Sequence, residues 1–164
     1  MAAAVAVAVI AGVTFVTALS STPKEAAEHS LDVPFEYLDG SPGNLGDFEG
    51  TPVVVNFWAS WCPACVAEMP DFEEVHAIFG DEVVFLGLKM QETDPAAAQE
   101  LIEETGVNYL LGRDPDGSIF TGFGGIAMPT TVFLDERGTV AATHAGAIFA
   151  RDLEALIRRE LLES

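Results

Sequence analysis

The sequence predicts an α/β domain with a central mixed β-sheet flanked by helices, and three observations carry the prediction. Two continuous apolar runs, Val53 to Trp58 and Val83 to Leu88, lack the alternation of a half-solvated strand and so read as strands buried on both faces. Each is followed by a segment of helical spacing, the arrangement that lays parallel strands side by side. Later, Thr130 to Leu134 and Thr139 to Thr143 flank the turn Asp135-Glu136-Arg137-Gly138, which reads as an antiparallel hairpin and makes the sheet mixed.

In chain order, Ala2 to Leu19 carries no charge and approaches the roughly 20 residues that a helix needs to cross a bilayer. It lacks the polar face of a surface helix, so residues 1–19 read as a signal anchor or signal peptide, with the uncleaved tether favoured. No Lys or Arg precedes it, a departure from the usual signal pattern that leaves the amino terminus as the positive charge unless the true start lies upstream. Ala18 and Ser20 are small enough to support cleavage after Ser20. Residues 20–30 are polar, contain Pro23, and read as a linker to a domain over 31–164. Export by either route places the cysteines outside the cytoplasm, where disulfides persist.

Within the domain, Phe35 to Leu38 is expected as a first strand, and Asp39-Gly40-Ser41-Pro42-Gly43-Asn44 as turn chemistry. After the Val53 to Trp58 strand, a helix from Cys62 to Phe79 is stopped by Gly80 and interrupted by Pro70, which removes a backbone donor and kinks the helix. Asp94 and Pro95 are a cap and a first-turn proline for a second helix that ends at Gly106. Asn108 to Leu111 is expected as a short strand, and Asp114-Pro115-Asp116-Gly117 as a turn that lacks the remaining ligands of a calcium loop. An amphipathic helix over Phe149 to Leu162 closes the domain.

The chemistry concentrates at Trp61-Cys62-Pro63-Ala64-Cys65, which holds the only two cysteines, just past a buried strand. A helix starting there presents unpaired N–H groups and the positive end of its dipole to Cys62, which favours a thiolate. The three-residue step to Cys65 lets the two sulfurs close a small ring, a reversible two-electron switch. Structural zinc takes four Cys or His ligands, and only His29, His76 and His144 are available, widely scattered. A purely structural disulfide would close too short a loop to remove much chain entropy. The formal net charge of −19, from 26 acidic and 7 basic residues, argues against nucleic acid and anionic membrane surfaces as partners. Basic protein partners and a surface adapted to high salt both fit that charge.

Taken together, these residues resemble the thioredoxin fold and, within it, the exported TlpA/ResA/CcmG-like thiol-disulfide oxidoreductases. Phe57-Trp58-Ala59-Ser60-Trp61-Cys62-Pro63-Ala64-Cys65 is similar to the family's active-site segment, Pro70 to its helix proline, and Met128-Pro129-Thr130-Thr131 to its cis-proline segment. Asn56 stands where cytoplasmic thioredoxins carry a proton-transferring aspartate, and it cannot take up a proton. Glu68 matches an acidic residue of the TlpA/ResA-like branch, one helical turn beyond Cys65.

The resemblance implies Cys62 as nucleophile, Cys65 as resolving thiol and Glu68 as proton acceptor. It implies a cis Met128-Pro129 bond, with the Met128 backbone pairing an extended substrate and Trp61 forming an apolar lip. The activity implied is reduction of protein disulfides by a monomer with no cofactor beyond the Cys62–Cys65 pair. Apocytochrome c is the implied client, and a membrane thiol transporter of CcdA/DsbD type the electron donor. The alternatives are a thioredoxin-fold peroxidase, and a copper or partner-binding module without turnover.

Overall fold

A computed structural model describes residues 32–163. The segments read as anchor and linker lie outside the described residues. The described chain forms a seven-stranded mixed sheet, comprising β1 (Pro34–Tyr37), β2 (Pro42–Asn44), β3 (Val53–Trp58), β4 (Val84–Lys89), β5 (Leu110–Arg113), β6 (Thr130–Leu134) and β7 (Val140–Ala145), in the order β2-β1-β5-β4-β3-β6-β7. The pairs β3–β4 and β4–β5 are parallel, while β1–β2, β1–β5, β3–β6 and β6–β7 are antiparallel.

The helices are α1 (Pro63–Phe79), α2 (Pro95–Thr105), α3 (Ser118–Gly122) and α4 (Ala150–Ile157). Successive right-handed crossovers from β3 to β4 to β5 move in one direction along the sheet, so α1 and α2 share a face. α4 packs beside α1 there, and α3 covers the opposite face together with a short 3-10 turn at Leu45–Phe48.

Strand alternation assigns each side chain of β3 to one of two cores. Val54 and Trp58 join Met69, Phe72 and Phe133 beneath α1, and Val53, Val55 and Phe57 join Leu86, Leu88 and Val132 on the α3 side. Asn56 has the parity of Val54 and Trp58, which points it at α1. Gly87, its register partner on β4, faces the same way. A Cβ there would fall 2.8 Å from Leu111 Cδ2, 3.0 Å from Tyr109 Cε2 and 3.1 Å from Trp58 Nε1. Glycine therefore lets two large rings close over the sheet.

Several elements differ from expectation. The turn region after β1 contains β2, three residues too few and too rich in Pro and Gly to register as a strand. β5 starts at Leu110, paired with Leu86 of β4, and Val107 and Tyr109 are buried in the core ahead of it. The aspartate-rich turn also starts a helix: Asp114 accepts hydrogen bonds from the Ile119 and Phe120 amides at the head of α3. The final helix is α-helical only to Ile157 and continues as a wider π turn over Arg158–Leu162 in which Leu161 stays buried.

Candidate active site

The end of β3 delivers the chain into a tight loop, and Cys62 becomes the N-cap of α1 with Pro63 in the first turn. Proline suits that position, where an amide would have no partner inside the helix. Cys62 Sγ accepts from the Cys65 amide at 3.2 Å, so one of the otherwise unpaired donors of α1 points at sulfur. Cys62 and Cys65 are joined by a disulfide, with their Cα atoms 5.3 Å apart.

The two sulfurs live in different surroundings. Cys62 lines an open groove of about 620 Å3, together with Trp61, Gln91, Phe120, Ile126 and Met128. Cys65 is 0% exposed in the core beneath α1. The Trp61 ring is 54% exposed, and its Nε1 donates to the Gln91 carbonyl at 2.8 Å, which fixes it as one wall. Ile126, 91% exposed, stands at the groove's margin. The Met128–Pro129 peptide bond is cis. Met128 lines the groove, whereas Pro129 does not, its carbonyl accepting from the Gly146 amide at 2.8 Å.

Glu68, one turn past Cys65, is fully buried rather than on the solvated face of α1. Its Oε1 accepts from Asn56 Nδ2 at 2.8 Å and its Oε2 from the Ile148 amide at 2.9 Å. Burial raises its pKa, the Ile148 and Asn56 hydrogen bonds lower it, the Asp71 charge raises it, and the balance lies at about 7. Tyr109 is also pushed up, first by burial and then by the charges of Glu68 and Glu73.

The structure thus groups the predicted residues in two layers. Trp61, Cys62 and Met128 meet at the groove, and Cys65, Glu68 and Asn56 lie below it. Of the histidines weighed as metal ligands, His76 packs edge-on against Phe85 and Tyr109, and His144 reaches the Ala147 carbonyl.

Three contributors had no sequence signal strong enough to single them out. Glu92 accepts from the Ser60 amide and from Thr93 and Asp94, tying the active-site loop to the β4–α2 loop. Burial opposes its charge, but those hydrogen bonds outweigh it and hold its pKa down. Ile126 is an apolar residue in a glycine-rich loop, and Ile148 acts only through its backbone.

A cysteine pair at the head of α1, Cys62 lining a groove and Cys65 sealed in the core, on a thioredoxin-like sheet, defines a thiol-disulfide oxidoreductase. The chain belongs to the Redoxin family, whose model matches residues 15–157. It is 25% identical over 129 residues to the thiol-disulfide oxidoreductase ResA of Halalkalibacterium halodurans, covering 79% of this chain and 73% of the relative. It is 32% identical over 134 residues to the soluble secreted antigen MPT53 of Mycobacterium bovis, covering 81% and 76%. Among solved structures, a DsbF homologue from Corynebacterium diphtheriae superposes with a TM-score of 0.70 at 30% identity, over 76% of this chain and 82% of that one. The resemblance to the ResA-like branch and to the thioredoxin fold, drawn from the sequence, is borne out.

Proposed function

We propose that this chain is an extracytoplasmic, membrane-tethered protein disulfide reductase in which Cys62 attacks, Cys65 resolves and Glu68 accepts the resolving proton. The placement of the two cysteines carries the reading: Cys62, 6% exposed, lines the groove where a protein disulfide would sit, whereas Cys65 is absent from that lining and 0% exposed. Cys62 thiolate attacks one substrate sulfur, forming a mixed disulfide and releasing the other as a thiolate. Cys65 passes its proton to Glu68 and displaces the substrate from Cys62. The Cys62–Cys65 disulfide reforms, and both electrons of the dithiol leave with the substrate. With a pKa near 7, Glu68 can take and return a proton at neutral pH, where an ordinary carboxylate would stay ionised.

Trp61, Met128 and Pro129 present the substrate segment: the Trp61 ring and the Met128 side chain form apolar walls, and Pro129 fixes the turn that sets Met128 on the groove. Residues 1–19 hold the domain at the membrane facing the cell exterior or periplasm. A membrane thiol donor of CcdA/DsbD type recharges the oxidised pair, and apocytochrome c is the proposed client. The name of one similar protein, a soluble secreted antigen, supports an extracytoplasmic location.

Dithiothreitol-driven insulin reduction tests the core of the reading. The wild-type domain should accelerate it, and Cys62→Ala should abolish the effect; undiminished activity in that variant would remove Cys62 as nucleophile. Cys65→Ser should accumulate mixed disulfides with clients, identified by mass spectrometry.

A further inference from the structure

Asn56 is the one amide in an otherwise apolar strand, and it is buried. A primary amide in such a place is costly unless it is hydrogen-bonded. Its Nδ2 donates to Glu68 Oε1 at 2.8 Å and to Thr131 Oγ1 at 3.2 Å, while its Oδ1 is buried with no hydrogen-bond partner. Thr131 is its register partner on β6 and shares its face. Glu68 Oε2 is occupied by the Ile148 amide. An ionised Glu68 therefore meets a donor at each oxygen. The carboxylic acid has an O–H that needs an acceptor, and the unused acceptor in the group it already touches is Asn56 Oδ1.

We propose that Asn56 is the positioning residue of the proton-transfer step, its amide turning over to hold both forms of Glu68. Nδ2 donates to the carboxylate; after a half-turn of the amide, Oδ1 accepts from the carboxylic acid. The Thr131 hydroxyl reverses in step, accepting from Nδ2 in the first state and donating to Oδ1 in the second. An aspartate at this position would compete for the proton, whereas the amide leaves it on Glu68. The inference rests on the proposed role of Glu68 as acceptor of the Cys65 proton. The other titratable groups around Glu68 are Asp71 one turn along α1, Tyr109 ahead of β5, and His144 opposite Thr131 on β7, and all are left in place by the test.

The test is an NMR titration of the full-length oxidised protein from about pH 4 to 9, following the Glu68 carboxyl carbon and the Asn56 side-chain amide. The Asn56 amide is expected to titrate with the Glu68 midpoint, and Glu68→Gln to abolish that response. Asn56→Leu removes both the donor to the carboxylate and the acceptor for the acid; the charge-assisted bond is the stronger of the two, so the Glu68 midpoint is expected to rise by roughly one pH unit. The pH profile of mixed-disulfide resolution should move with it. Asn56→Thr returns a hydroxyl and should bring the midpoint part of the way back. An Asn56 amide that ignores the Glu68 titration in the wild-type protein overturns the inference even if the leucine variant does not fold. An unmoved midpoint in folded Asn56→Leu overturns it equally, and both results leave the role of Glu68 standing. If instead Glu68→Gln leaves the pH profile of resolution unchanged, the proposed proton acceptor falls and the positioning role falls with it.

Discussion

Glu68 couples the redox site to folding stability through one buried carboxyl. Its pKa rises from an ordinary 4.5 to about 7 on folding, so between those values the folded chain binds more protons than the unfolded one. Its contribution is therefore full below about pH 4.5 and is lost as pH rises through 7. Chemical denaturation should show stability falling across that window by on the order of 3 kcal/mol, and Glu68→Gln should remove the slope. A slope unchanged by that substitution would mean that other groups dominate the window. Much at this scale was legible in the sequence: the cysteine spacing, the turn from Cys65 to Glu68 and the position of Pro129 were all in view. The burial of Glu68 was not. Its second oxygen is satisfied by the amide of Ile148, 80 residues further on, and a solvated charge fits the same helical spacing.

At the scale of elements, what could be read depended on length and local chemistry. β3 is a run of apolar residues closed by a dithiol, and α2 carries its start and stop in Asp94, Pro95 and Gly106, so both appear as expected. β2 and α3 have three and five residues, and their existence depends on the partners they meet, β1 for the one and Asp114 for the other. Two substitutions test the packing. Gly87→Ala sets a methyl against Trp58, Tyr109 and Leu111, backed by close-packed strands, and should cost about 1–3 kcal/mol in urea unfolding. A near-neutral result would show that the rings have room to shift. Asp94→Ala removes the side chain that accepts from the Ala96 and Ala97 amides and should cost about 1 kcal/mol by the same assay.

For the whole molecule, charge sets the terms. A net charge of −19 on 164 residues strains the compact state through self-repulsion, which dissolved salt screens. The melting temperature measured by calorimetry should therefore climb as sodium chloride is raised from low millimolar to about 0.5 M. A flat or falling curve would show that the surface ion pairs, such as Arg158 with Glu154 and Arg113 with Glu36, offset the repulsion already. The domain is also tied together late in its sequence. Glu68 receives the Ile148 amide, and Asp71 receives the Ala150 amide at 2.8 Å, so two carboxylates of α1 clamp the entrance to α4. A chain emerging from its amino-terminal end presents both thiols long before that entrance is made. Until Ile148 and Ala150 arrive, Glu68 Oε2 and Asp71 Oδ1 lack these donors, and the carboxyl next to the dithiol is not yet fixed. A product cut short ahead of Ile148 should keep both thiols but lose one of the two hydrogen bonds that hold the Glu68 carboxyl.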